Sequence, residues 1–229
     1  MRLVLAAALL IPAATSRADT RDWTPAAFDQ VESAGSYFVS IVPGPRASIR
    51  ADGDSRELSR MWVRVASGKL TVGSERGGWL DGMSYHQPIH LVVTTPTPLR
   101  GALLSGSGTM TVARVDAPEF RAEISGSGDI VLQQVSTRLL AASITGSGDI
   151  VATGHADRVS ADVAGSGRAK LSDLRAVDLS AKIAGSGELV AFATRSATIG
   201  VTASGRARIR GGARCTVSKA GRGHVDCGA

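Results

Sequence analysis

The sequence predicts an all-β fold: a single parallel β-solenoid, or β-helix, with coils of about 20 residues and Gly-Ser-Gly corners. Three observations predict it. Glycine is frequent, with 27 among 229 residues, and aromatic residues are few; a Gly-Ser-Gly motif recurs at a nearly constant period; and apolar residues occupy every second position between the motifs. Because the glycines lack a strict period of three, a collagen triple helix is excluded.

The segment 1–18 predicts a signal peptide rather than part of the fold. Arg2 supplies positive charge, residues 3–14 form an apolar run too short to span a bilayer, and Ser16-Arg17-Ala18 fits a cleavage site before Asp19. Cleavage there removes two arginines and lowers the net charge from +6 to +4. We therefore expect a periplasmic, secreted or cell-surface protein without a membrane span.

Residues 19–100 are predicted to form an aromatic-rich N-terminal β part of the solenoid. Runs of alternating polarity at 37–42, 61–65 and 89–93 are typical of strands, and no amphipathic helix of useful length is expected. Trp62 is expected to cover the open end of the core. Trp79 and Tyr85 lie in or beside a Gly-rich stretch and are candidates for ligand contact.

Residues 101–229 are predicted to form the regular coils. The second glycine of each motif, degenerate copies included, lies at 108, 128, 148, 167, 187, 205 and 223, so the period is 18 to 20 residues. Residues at even offsets from this glycine are apolar, such as Ile124, Ile144 and Ile183, and are predicted to line one interior. The corner glycines, where a sharp bend leaves no room for a Cβ, are Gly106, Gly108, Gly126, Gly128, Gly146, Gly148, Gly165, Gly167, Gly185 and Gly187.

The last coil is predicted to be an atypical cap. Lys219 stands where the other coils have an apolar inward residue. Cys215 and Cys227 are the only cysteines and fall in inward columns, so an oxidising compartment predicts a disulfide between them. This disulfide would pin a coil that has a neighbour on one face only.

The Gly-Ser-Gly coils, the segment 65–72 and the tail from Cys215 to Gly228 together resemble the head GIN domain of autotransporter adhesins. The resemblance covers residues 28–228. It implies an exported parallel β-solenoid of unknown molecular function, and it supplies no catalytic residues.

Few residues are candidates for chemistry. The motif serine recurs in six coils, whereas a catalytic serine is unique and is supported by a base and an oxyanion hole. Asp129 and Asp149 are one coil apart and are weak candidates for a shared cation, although solvated turn residues are favoured. His86 and His90 lack further ligands at metal-site spacing. We expect no catalytic residue, no metal and no cofactor.

Arg206, Arg208 and Arg210 share one face of a predicted strand and are candidates for contact with an acidic glycan. Nucleic acid is not expected, because the arginine stripe lacks interleaved aromatic residues.

The sequence thus favours a non-enzymatic, adhesin-like scaffold or binding module of the cell envelope that acts by rigid display of polar side chains. The expected partners are a cell-surface glycan or another envelope protein, and end-to-end or face packing is the expected route to an oligomer. The alternative is a carbohydrate-active β-helix enzyme, either a polysaccharide lyase or a hydrolase, or an acidic-glycan-binding protein.

Overall fold

The structure is a computed structural model that describes residues 19–75 and 88–228. Within these ranges it contains one short helix, α1 (Ser55–Arg60), and eighteen strands. The strands are β1 (Asp19–Trp23), β2 (Gln30–Ala34), β3 (Phe38–Pro43), β4 (Ser48–Gly53), β5 (Met61–Ala66), β6 (Lys69–Ser74), β7 (His90–Thr95), β8 (Gly101–Gly106), β9 (Thr109–Val112), β10 (Val115–Asp116), β11 (Glu119–Gly126), β12 (Asp129–Gly146), β13 (Asp149–Gly165), β14 (Arg168–Gly185), β15 (Glu188–Ala203), β16 (Arg206–Arg210), β17 (Arg214–Gly221) and β18 (His224–Cys227).

The coils stack in parallel around one interior, which confirms the predicted β-solenoid. Each coil has a first side, formed by the strand segment before the Gly-Ser-Gly corner, and a second side, formed by the segment after it. On the first side Ile124 pairs in register with Ile144, Ile144 with Val163, and Val163 with Ile183. These four side chains are 1–2% exposed. The predicted internal row is therefore continuous.

The corners are joined from coil to coil through the backbone. The N–H of Ser147 donates to the carbonyl of Gly126 at 2.9 Å, and the contact is repeated by Ser127, Ser166, Ser186 and Ser204. Gly146 has a φ of +128°, which residues with a Cβ avoid. A Cβ on Gly148 would meet the carbonyl oxygen of Gly128. Both glycines of the motif are thus required, for different reasons.

The N-terminal part departs from chain order. Strands β2 and β3 form a coil with the corner Gly35-Ser36-Tyr37, and this coil lies between β6–β7 on one face and β8–β9 on the other. The Oγ atoms of Ser36 and Ser107 are 3.0 Å apart, so this corner stacks on the first regular one. Further out, β5 pairs antiparallel with β6, β4 with β7, and β1 with β4. We call these three antiparallel strands and α1 the N-terminal cap.

Two features of this cap differ from the sequence expectation. The helix α1 was not predicted; it begins after Asp54, whose carboxylate accepts a backbone N–H of the first turn, and its Leu58 is 4% exposed in the core. Trp62 does not cover the open end of the core. The alternation along β5 directs it outward, where its ring lies against Gly73 and the Arg64 guanidinium stands 4.8 Å from the ring centroid.

The opposite end is closed by β17 and β18. Cys215 and Cys227 form the predicted disulfide, with Cα atoms 6.5 Å apart. Lys219 is in register with the buried Val201 of the preceding coil but is itself exposed. A charge in the interior column of an edge strand discourages pairing with another chain, so this end disfavours end-to-end stacking.

Candidate functional site

The second side presents an outer face that crosses eleven strands. Pairing in register aligns its outward side chains into rows, with neighbouring strands about 4.8 Å apart. The row nearest the corner, called the corner row, contains in axial order Thr20, Asp52, His90, Phe38, Thr109, Asp129, Asp149, Arg168, Glu188, Arg206 and His224. The adjacent row contains Asp22, Arg50, Val92, Ser40, Thr111, Val131, Val151, Lys170, Val190, Arg208 and Asp226.

The basic end of this face lies on β16. Arg206, Arg208 and Arg210 are exposed, whereas Ala207 and Ile209 between them are 2% exposed and line the core. Residues 206–228 carry five arginines and one lysine against one aspartate, a net charge of +5. Residues 19–229 as a whole carry a net charge of +4, so this end holds the entire positive excess. The arginines lie as the sequence predicts; their contact with a ligand stays a prediction.

Asp149 in the corner row is less exposed than the sequence predicts. We expected a solvated residue, but Asp149 is only 8% exposed. From the next coil, Arg168 donates through Nε to Oδ1 at 2.9 Å and through Nη2 to Oδ2 at 2.8 Å. The Nζ of Lys170 donates to Oδ2 at 2.9 Å. These two longer side chains cover most of the carboxylate, and the side chain of Asp149 is 11% exposed.

The electrostatics of Asp149 follow from this geometry. Burial alone would raise its pKa, but the hydrogen bonds from Arg168 and Lys170 outweigh burial and hold the pKa below its ordinary value. The carboxylate is therefore ionised over the whole neutral range. Its ion pairs with Arg168 and Lys170 link β13 to β14 in the next coil.

The same contacts bear on the proposed shared cation. Asp129 Oδ1 accepts the backbone N–H of Asp149 at 3.1 Å, and both oxygens of Asp149 already accept hydrogen bonds from positive side chains. Two cations of the chain itself next to Asp149 repel a third. Within residues 19–75 and 88–228, no group of three or more His, Cys, Asp or Glu side chains is placed to hold a metal ion.

An aromatic pair on the outer face was missed by the sequence analysis. The rings of Phe38 and His90 stack with centroids 5.1 Å apart, and Phe38 is 43% exposed. Val92, in the adjacent row, is 40% exposed. The signal was present in the corner Gly35-Ser36-Tyr37: aligned with Gly-Ser-Gly, it places Phe38 in the row of Asp129.

Three residues singled out from the sequence lie outside the described residues. They are Trp79 and Tyr85, the aromatic candidates for ligand contact, and His86, the expected neighbour of His90. Their roles remain predictions.

The fold and this face define the class of protein: a parallel β-solenoid with aligned outward rows. Residues 27–213 match the family described as "Putative auto-transporter adhesin, head GIN domain", and the chain belongs to this family. No functionally curated protein matches the chain. None of the helices among the described residues has the length and apolar character needed to cross a membrane.

Solved structures share the fold. A putative adhesin from Bacteroides fragilis NCTC 9343 superimposes with a TM-score of 0.81 at 19% identity, covering 93% of this chain and 97% of that one. A putative lipid binding protein from Parabacteroides distasonis ATCC 8503 gives 0.71 at 20% identity, covering 92% and 97%. A putative adhesin from Parabacteroides merdae ATCC 43184 gives 0.71 at 16% identity, covering 93% and 97%. At these identities the likeness establishes the fold.

Proposed function

We propose that this protein is an exported, non-enzymatic binding module of the cell envelope that acts as an adhesin-like scaffold. The observation that carries the proposal is the register across the eleven strands of the outer face, which fixes polar side chains at a constant pitch. A rigid array of this kind binds an extended partner through many weak contacts at little cost in conformational entropy.

The family and its solved relatives support the proposal. The family and two of the three solved structures described above are named for adhesion, which fits binding of surface partners and an extracellular or surface location. The predicted signal peptide and the disulfide between Cys215 and Cys227 fit the same location. The expected partner is a surface glycan or another envelope protein.

The proposal is tested by binding and turnover measured together. The purified protein is applied to an array of neutral and acidic glycans and to intact bacterial and host cells, and the same glycans are then assayed for lyase or hydrolase products. Binding without products is the expected result. Turnover of any glycan would show that the protein is a carbohydrate-active enzyme rather than a scaffold. Absence of binding to all glycans and cells would overturn the proposal.

A second candidate, acidic-glycan binding at the basic end, is favoured by the net charge of +5 over residues 206–228. Replacing Arg206, Arg208 and Arg210 together by Gln should then weaken binding to acidic glycans and flatten its salt dependence, because fewer counterions are released. Unchanged affinity and salt dependence would exclude this end as the contact surface.

A further inference from the structure

The regular coils give flat sides, and a concave site arises where the repeat is interrupted. In the coil of β9 to β11 the strands stop at Asp116 and restart at Glu119, whereas β12 runs for 18 residues without a break. Pro118 lies in this gap, and proline supplies no N–H for a continuous strand. A cavity of about 370 Å³ lies beside it. Its walls include Arg100, Pro118, Glu119, Arg121, Arg138 and Leu139.

The backbone around this cavity, called the Pro118 cavity, is held in place by the next coil. The N–H groups of Arg138 and Leu139 both donate to the carbonyl of Pro118 at 3.1 Å. The hydroxyl of Thr137, which is 7% exposed, donates to the carbonyl of Ala117 at 2.7 Å. The cavity is therefore preformed rather than the product of a loose loop.

Three guanidinium groups line the cavity, one from each of three successive coils. Arg100 lies 3.8 Å from a carboxylate oxygen of Asp29, and Arg121 lies 3.0 Å from Glu123. The side chain of Arg138 makes no ion pair or hydrogen bond with any described residue. The charges of Arg100 and Arg121 are thus offset by Asp29 and Glu123. Arg138 is the wall guanidinium that has no ion-pair partner among residues 19–75 and 88–228, and it is free to pair with a ligand.

This composition selects a chemical class of ligand. A guanidinium binds a carboxylate through two parallel hydrogen bonds, and the volume lies within the range of small-ligand sites. Pro118 and Leu139 offer apolar surface for the face of a sugar ring, and Glu119 offers an acceptor for its hydroxyl groups. A second, shallower depression of about 370 Å³ shares Pro118 and Arg138 as walls, and its lining includes Ser136, His155, Asp116 and Asp157. An oligosaccharide can therefore continue past the first residue.

We propose that the Pro118 cavity binds a uronic acid residue of an acidic polysaccharide, with the carboxylate of the sugar on Arg138. This inference rests on the proposed function as a binding module and names a ligand class and a place for it. The place is distinct from the outer face of the second side and from the basic end.

Isothermal titration calorimetry with a galacturonic acid oligomer and with a neutral galactose oligomer of equal length tests the assignment. The protein is expected to bind the uronate oligomer and not the neutral one. Arg138→Gln should weaken uronate binding at least tenfold while leaving the melting temperature unchanged, because the Arg138 side chain has no partner to lose among the described residues. Arg56→Gln removes the same charge from an exposed position of α1 in the N-terminal cap and should leave the affinity within twofold.

The other outcomes overturn the site. No binding of the uronate oligomer, equal binding of the neutral oligomer, or an Arg138→Gln affinity equal to that of the unaltered protein would each do so. Equal losses in Arg138→Gln and Arg56→Gln would show general charge attraction instead. The proposed function is judged separately by the glycan array and the cell-binding assay, so this site can fail while the binding module stands.

Discussion

The regular array of residues 101–228 and the N-terminal part of residues 19–100 build the same solenoid by different routes. In the array, chain order and axial order agree, and each coil pairs with the coils before and after it. In the N-terminal part, β2 pairs with β6 and β8, which lie 39 and 71 residues further along the chain by register. A short repeated motif therefore suffices to specify stacking in the array, whereas the N-terminal part depends on distant partners.

The corners show the same contrast. Where the array has the second glycine of the motif, the β2–β3 coil has Tyr37, which is 6% exposed. Burial raises the pKa of the Tyr37 hydroxyl above its ordinary value. A Cβ is accommodated here, whereas a Cβ on Gly128 or Gly148 would meet the carbonyl oxygen of the preceding corner glycine. Only the array needs glycine at this position.

The largest expected effect is a charge in the array core. Ile144→Asp places a carboxylate at a position that is 1% exposed, between Ile124 and Val163. We expect a loss of ~4 kcal/mol or more in the free energy of unfolding, seen as loss of soluble protein or of the thermal transition by circular dichroism. Thr145→Asp, at an exposed outward position of the same strand between Ser125 and Ala164, is the control. Equal melting temperatures of the two variants would contradict the internal row.

The next effect concerns the array corners. Gly148→Ala drives a Cβ into the carbonyl oxygen of Gly128 and should destabilise the protein by about 2–3 kcal/mol, measured by chemical denaturation. Gly200→Ala is the matched control, because the nearest atoms to its Cβ are 3.9 Å away and its φ is not positive. A tolerated Gly148→Ala would mean that coils can separate at the corner.

A smaller effect compares ion pairs in the two regions. Asp149→Asn removes the covered carboxylate that Arg168 and Lys170 hold, and we expect a loss of about 1–3 kcal/mol at pH 7. Asp22→Asn in the N-terminal cap should have almost no effect, because Asp22 and Arg50 are 65% and 61% exposed. Melting temperatures of both variants provide the measurement, and equal values would contradict the difference in burial.

The ion pairs of Asp149 with Arg168 and Lys170 predict that stability depends on pH. The folded pKa of Asp149 is lowered, so its stabilisation is fully present above the unfolded value of about 3.9 and is lost as pH falls through the folded pKa. The difference in melting temperature between the unaltered protein and Asp149→Asn should therefore be constant from pH 7 to about pH 5 and shrink below about pH 4. A difference that grows on acidification would contradict the assignment.

The smallest effect is in the N-terminal part. Ser33 is fully buried between Val72 and Leu104, and its hydroxyl has no hydrogen-bond partner among the residues that the structure describes. Ser33→Ala should stabilise the protein by about 1 kcal/mol, because it removes an unpaired polar group from the core. Ser40→Ala, on the exposed face of β3, serves as control. A lower melting temperature of Ser33→Ala would show that the hydroxyl has a partner after all.

The array could be predicted from the sequence because local spacing alone sets its register. The motif period placed Ile124, Ile144 and Ile183 in one column, and the structure confirms it. The N-terminal order could not be predicted, because no local pattern in β2 indicates pairing with β6 and β8. The lone corner of this coil lacks the second glycine.

The sites were harder to predict than the fold. Alternation correctly placed Asp149 on the outer face, but its burial depends on two long side chains from the next coil. The helix α1 could not be predicted, because its six residues from Ser55 to Arg60 are too few to show an apolar periodicity. The Pro118 cavity had one sequence signal, a proline in a coil whose successors have none at that place.

The position of the β2–β3 coil between β6–β7 and β8–β9 also determines the order in which the chain can fold. During synthesis, residues 30–43 of β2 and β3 are made long before β8 and β9, the strands that pair with them on one face. The β2–β3 coil can be covered on both faces only after residue 112, the end of β9, has been made. Each later coil then stacks on a coil that is already folded. We therefore expect closure of the N-terminal part to be the slowest step of folding, and a chaperone that shields the first hundred residues to matter more than one that binds the later coils.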